Sequence, residues 1–213
     1  MSHDHAKSDV NKIVANHHAH YPAFSGITGV LLGLRFAFSR NDRSRVAVDL
    51  ANVSPGDRAV DIGCGPGNAV KEAARRGATA TGVDPAPVML RLARVLVRSP
   101  RVDWREGAAE ALPLPDGSAT VAWSVATIHH WADVERGLAE VHRVIEPGGR
   151  FLGLERRVTP GATGHASHGW TDEQAEVFAD ACRSAGFTEV TVEIVDTNHG
   201  PSLAVRANRP QTS

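Results

Sequence analysis

Short apolar runs alternate with amphipathic stretches along most of the chain, and glycine or proline closes each pair. RAVDIG, residues 58–63, is apolar apart from its first residue and one acid, and predicts a short buried strand. Asn68 to Arg76 repeats apolar positions at helical spacing and stops at Gly77, a common residue just past a helix. The pair then recurs. ATATGVD (78–84) predicts a second strand, and Pro87 to Arg98 a helix with Val88, Leu92 and Val95 on one side. RVDWREG (101–107) predicts a third strand ending near Glu106, and ATVAWSVAT (119–127) a fourth. Val134 to Ile145 reads as a helix with Leu138, Val141 and Ile145 on one face, closed by Pro147, Gly148 and Gly149. RFLGLER (150–156) is a fifth strand, and Thr171 to Ser184 a helix ending near Gly186. TEVTVEIVD (188–196) and LAVRANR (203–209) follow each other with only TNHGPS between them.

Strands and helices alternating at this short period predict right-handed crossovers and a doubly wound α/β fold. Its sheet has seven strands, mostly parallel, with helices on both faces. The last two strands lack a helix between them, so they are expected to form an antiparallel pair at one edge. Such sheets bind ligands at the carboxyl ends of their strands. Upstream, residues 1–10 read as a polar tail, and residues 11–20 and 26–39 as two helices separated by YPAFSG. No internal repeat is present.

Composition narrows the partners. Lysine and arginine number 23 against 24 acids, so no basic face for nucleic acid or anionic membrane is expected. The most apolar stretch, GITGVLLGLRFAF (26–38), contains Arg35 and is too short to span a bilayer. The opening MSHDHAKSDVNK lacks the apolar core of a secretion signal. Two cysteines, Cys64 and Cys182, suggest no disulfide scaffold, and a reducing cytoplasm is the expected location.

The chemistry begins at GCGPGN, residues 63–68. A strand, glycines and a helix N-terminus form a nucleoside-ligand site by geometry. Asn68 stands where the third glycine of a dinucleotide loop would fall, and Asp61 lies two residues before the first. A carboxylate there repels a pyrophosphate and attracts an ammonium group, which favours a cationic, phosphate-free ligand. Asp61 has a second reading, as an anchor for loop amides. Asp84 ends the second strand about 20 residues on, where an acid accepts ribose hydroxyls. Its other reading is a cap of the following helix.

Five segments together resemble a known family. VDIGCGPG (60–67), GVDPAPVML (82–90), REGAAEALPLPDGS (105–118), WSVATIHHWAD (123–133) and VHRVIEPGGRF (141–151) stand in the order and spacing of class I S-adenosylmethionine-dependent methyltransferases. Within that family they resemble the small group that includes the ubiquinone and menaquinone biosynthesis methyltransferases. The resemblance runs from about Val53 to Asn208 and implies a Rossmann-like methyltransferase fold with S-adenosylmethionine as cofactor. It implies that Asp61, Gly63 and Gly65 floor the methionine part, with Cys64 and Asn68 in the same loop. Asp84 would hold the ribose, Pro85 and Ala86 would lie along the adenine, and Ala108 and Ala109 would flank its other side. Two positions depart from the family. Ala108 stands where an acid commonly bonds the adenine amino group, and Thr120 where an aspartate often precedes the fourth strand. Ser124, at that strand's end, is expected to line the methionine pocket.

Methyl transfer asks mainly for in-line positioning, and for a base only if the acceptor must lose a proton. IHHW follows the fourth strand, so His129 and His130 are the candidate catalytic residues. The other reading is that one histidine caps or packs the next segment while Trp131 fills the pocket wall. HASHGW (165–170) follows the fifth strand, where His168 or Trp170 would touch an acceptor. HDH (3–5) and HHAH (17–20) have no accompanying cysteine or carboxylate frame, so no metal site is predicted.

The division expected is an N-terminal tail and helical lid over residues 1–50, and an S-adenosylmethionine-binding domain over 51–213. The function expected is methyl transfer to a small-molecule acceptor by a monomer or homodimer. The alternatives are a protein that binds S-adenosylmethionine or S-adenosylhomocysteine and acts through partners, and a nicotinamide-dependent oxidoreductase.

Overall fold

The computed structural model describes residues 42–211, without the side chains of residues 165 and 166. The two helices expected over 11–20 and 26–39, and the lid they would form, lie outside the described residues. Within them the chain runs α1 (Arg43–Leu50), β1 (Arg58–Ile62), α2 (Asn68–Arg75), β2 (Thr79–Asp84), α3 (Pro87–Leu96), β3 (Val102–Glu106) and β4 (Ala119–Val125). It continues through α4 (Val134–Val144), β5 (Ile145–Arg156), α5 (Asp172–Ser184), β6 (Thr188–Thr197) and β7 (Gly200–Asn208).

The strands form one sheet in the order β3-β2-β1-β4-β5-β7-β6. Pairs among β1 to β5 are parallel, and β7 is antiparallel to both β5 and β6. The doubly wound reading therefore stands, with one refinement. The closing pair is antiparallel, but β7 slots between β5 and β6, so β6 alone is the edge. The chain goes from β1 outward to β2 and β3, then returns to β4 on the other side of β1. That reversal opens a crevice at the carboxyl ends of β1 and β4, where such sheets bind ligands.

Side chains alternate between the two faces along each strand, so the core has two halves. On one face Ala47 and Val48 of α1, Val70 and Ala73 of α2 and Leu90 of α3 pack on Ala59, Val121, Trp123 and Leu152. On the other, Leu138 and Val141 of α4 and Phe178 and Cys182 of α5 pack on Val60, Ile62, Phe151 and Val205. Pro147, Gly148 and Gly149, expected as a turn before β5, lie inside it. They form an excursion, because the register with β4 jumps from Ala119↔Ile145 to Val121↔Arg150.

Thr120 sits at the amino end of β4, away from the crevice. Its hydroxyl donates to Asp57 at 2.6 Å and accepts the Arg58 N–H at 3.0 Å. Asp57 also pairs with Arg150 at 2.6 Å. Burial alone would raise the Asp57 pKa, but hydrogen bonds from Thr120, Ser54 and Arg150 outweigh it and hold the carboxyl below its ordinary value. The departure noted at Thr120 thus belongs to the foot of the sheet, not to the cofactor crevice.

Candidate functional site

β1 delivers the chain into a loop held by the end of β2. The N–H groups of Gly63 and Cys64 both donate to the Val83 carbonyl, at 2.8 and 3.0 Å. Gly63, Gly65 and Gly67 all have positive φ, at 76°, 51° and 87°. The three glycines do different work. A Cβ at Gly63 would meet the Thr127 hydroxyl at 2.5 Å, and one at Gly67 would run into the Trp104 ring. At Gly65 a Cβ would meet nothing within 4 Å. Gly63 and Gly67 are therefore required by packing, whereas Gly65 borders open space. Replacing Gly67 with Ala is expected to cost about 1–3 kcal/mol of stability by overpacking, read as a lowered urea midpoint.

Two acids flank that space. Asp84 accepts the Gly65 N–H on one carboxylate oxygen and the Ala86 N–H on the other, both at 2.8 Å. It ties the glycine loop to the start of α3. It also serves α3 without being its cap residue, which is Ala86. Asp61 is 3% exposed. Burial, and then the Asp84 charge, push its pKa up to about 8. Burial likewise raises Asp84, while the hydrogen bonds from Ala86 and Gly65 oppose the rise. Once ionised, a carboxylate in this crevice stabilises a cation and repels a phosphate, and a bound cation favours that ionisation.

The other residues proposed from the sequence fall around this loop. The Cys64 side chain packs into the core rather than toward the opening. Burial, Asp61 and Asp84 all raise its thiol pKa, so it is a poor nucleophile. Asn68 begins α2. Pro85 is exposed and Ala86 half-buried between β2 and α3. The Gly107 N–H bonds the Asp84 carbonyl at 3.3 Å, which brings half-buried Ala108 beside the end of β2. Ala109 is buried against the core. Ser124 is fully buried, with its hydroxyl 2.6 Å from that of Thr127. Thr127 in turn donates to the Ile62 carbonyl at 3.1 Å. Ser124 and Thr127 thus clasp the ends of β1 and β4.

The histidines stand just beyond β4. Ala126 has φ 55°, a left-handed conformation unusual outside glycine, and it turns the chain into Ile128–His130. His129 is 3% exposed and Glu155, near the end of β5, is wholly buried. One Glu155 oxygen accepts the Ile128 N–H at 2.8 Å; the other lies 2.9 Å from His129 Nδ1. His168 joins them from the segment before α5, with ring centroids 5.5 Å from His129 and 5.8 Å from His130.

With this geometry in view, residues 60–153 match the model of the methyltransferase domain family. Residues 60–153 thus form a methyltransferase domain. It is 40% identical over 116 residues to a demethylmenaquinone methyltransferase of Thermus thermophilus, covering 52% of each chain. It is 36% identical over 132 residues to an uncharacterized methyltransferase of Mycobacterium tuberculosis, covering 62% of this chain and 51% of that one. The chain spans from 32% to 52% of the length of the first curated relatives it matches. Among solved structures, a Haemonchus contortus phosphoethanolamine N-methyltransferase in complex with S-adenosylmethionine superposes with a TM-score of 0.72. Identity there is 18%, over 91% of this chain and 59% of that one. The [4+2]-cyclase SpnF superposes at 0.67 with 21% identity, over 79% and 80% of the two chains. At these identities the superpositions bear on the fold.

Two residues of the candidate site escaped the sequence reading. Thr127 carries no motif of its own. Glu155 had a signal: it is an acid inside the apolar run FLGLE, where only a partnered carboxylate is tolerated. Among the described residues, no helix is long and apolar enough to cross a membrane.

Proposed function

We propose that the chain transfers a methyl group from S-adenosylmethionine to a small-molecule acceptor. One observation carries the reading. The only loop glycine whose missing side chain leaves open space, Gly65, lies beside two buried acids. The cofactor fits that arrangement: its amino-acid end brings an ammonium group to Asp61, and its ribose brings hydroxyls to the unused lone pairs of Asp84. When bound, it supplies a methyl group on a positively charged sulfur. The chain's share is to hold both partners in line, an effect worth up to about 7–11 kcal/mol of the barrier. His129, steadied by Glu155, and His130 beside it are the groups to position an acceptor or take its proton. A small acceptor is supported by the balanced charge of the chain and by the relative named for demethylmenaquinone.

Calorimetry tests the cofactor, with S-adenosylmethionine and S-adenosylhomocysteine set against NADH as control. Asp84→Ala is expected to weaken both by about 1–3 kcal/mol, because charge-assisted bonds are lost. Unchanged affinity would remove Asp84 from the ribose role, and NADH binding would turn the reading toward an oxidoreductase. Formation of S-adenosylhomocysteine with a panel of phenol, amine and quinol acceptors then tests transfer.

A further inference from the structure

Three imidazoles meet at the carboxyl ends of β4 and β5, more than the positioning of one acceptor calls for. We propose that His129, His130 and His168 bind one borderline-soft divalent cation, of the zinc class, with Glu155 as the outer partner of His129. One ring nitrogen from each histidine lies within 4.8 Å of the others. Zinc–imidazole bonds of about 2.0–2.1 Å in tetrahedral geometry set the nitrogens about 3.4 Å apart, so no pair has to close by more than about 1.4 Å. His130 and His168 are only half-buried.

His129 is already set as a ligand. Glu155 is wholly buried and takes the Ile128 N–H, which marks its carboxyl group as an acceptor. We assign the proton between them to His129 Nδ1, with the Glu155 carboxylate as acceptor. That leaves Nε2 with a bare lone pair, buried and without a hydrogen-bond partner. An unsatisfied polar atom in a dry site is costly, and a metal ion satisfies it. A carboxylate on the far nitrogen of a ligating histidine is the usual outer partner of such sites.

His168 is held in place by built features. A side chain at Gly169 would collide with the Arg156 carbonyl, and the Trp170 N–H bonds that carbonyl at 2.8 Å. The Arg156 guanidinium donates to the His168 carbonyl at 3.0 Å. Three protein ligands leave a coordination position open, the pattern of catalytic rather than structural sites. The ligand class for that position is an acceptor oxygen, a phenolate or enolate, whose ionisation a cation favours. With the cation bound, the histidines position the acceptor as metal ligands, which replaces the proton-taking role named above. This last step rests on the methyltransferase reading; the metal site itself does not.

Cobalt titration of the chelator-stripped full chain tests the site without cofactor or acceptor. One Co²⁺ per chain is expected, with tetrahedral d–d absorption that Zn²⁺ abolishes. Glu155→Gln is expected to weaken Co²⁺ binding by about 10–100-fold, and His168→Ala, which removes a ligand from a half-exposed position, by more than that range. Replacing His3, His5, His17, His18 and His20 with Asn is expected to change nothing. No cobalt binding overturns the proposal. So does binding that survives His168→Ala, or binding lost with the N-terminal histidines. Either result leaves the Asp84 calorimetry, and the methyltransferase reading, to stand or fall alone.

Discussion

Gly65→Val abolishes saturable S-adenosylmethionine binding and leaves the protein folded. The space over Gly65 admits a Cβ without a contact inside 4 Å, so a side chain there starts out in open space. The same side chain would stand beside Asp84, which bonds the Gly65 N–H, in the space proposed for the ligand. The folding cost comes from backbone strain alone: φ at Gly65 is 51°, and a β-branched residue there costs about 1–3 kcal/mol. Circular dichroism and thermal unfolding check the fold, and calorimetry checks the ligand. A loss above about 100-fold, roughly 2.7 kcal/mol, is expected. Near-normal affinity in a folded Gly65→Val protein would mean that the ligand approaches from elsewhere. Gly63 and Gly67 cannot serve in this experiment. Their missing side chains make room for Thr127 and Trp104, so changes there confound packing with binding.

The second large effect is a pH dependence that Asp61→Asn removes. Burial, reinforced by Asp84, raises the folded pKa of Asp61 to about 8. An unfolded aspartate ionises near ~3.9. The folded state thus holds this proton more tightly than the unfolded one. The stability it contributes is present below the unfolded value and is lost as pH climbs through the interval up to about 8. The slope is up to ~1.4 kcal/mol per pH unit. Asp61→Asn flattens that decline, read from denaturant midpoints across the interval. Cofactor binding runs the other way. An ammonium group prefers the ionised carboxylate, so wild-type affinity rises by up to about tenfold per pH unit until Asp61 is ionised. Above about pH 8 it falls again, as the ligand's own α-amino group loses its proton. At neutral pH each binding event releases up to one proton, measured from calorimetric enthalpies in buffers of different ionisation heat. The asparagine variant releases less and loses the rising limb. Equal proton release by both proteins would take Asp61 out of the ammonium role.

Much of the site was legible because its residues serve the main chain. Three glycines in five residues mark backbone in conformations closed to side chains, and each has positive φ. Asp84 ends its strand because its carboxylate must reach the N–H groups of Gly65 and Ala86. What stayed hidden depends on neighbours distant in sequence. The period of the chain does not announce α1. Its mean pattern is polar, and only Ala47 and Val48 are buried, against residues of α2 and β4. Thr120 reads as a lost cofactor acid until the sheet places it against Asp57 and Arg150, at the opposite end from the ligand crevice. Ser124 reads as a pocket wall until its hydroxyl is found on Thr127.

The alternation of apolar runs with amphipathic helices was sufficient by itself to determine a doubly wound sheet. Its glycine loop and paired acids were sufficient to nominate the place proposed here for a cationic nucleoside. Both follow from local rules: strand period, helix period and the φ that only glycine tolerates. The insertion of β7 between β5 and β6, and the meeting of His129, His130, His168 and Glu155, were decided by tertiary structure alone. Those four residues span three loop or strand segments up to 39 positions apart (168 − 129). No short-range pattern links them. They converge because parallel strands send all their carboxyl ends to one side of the sheet.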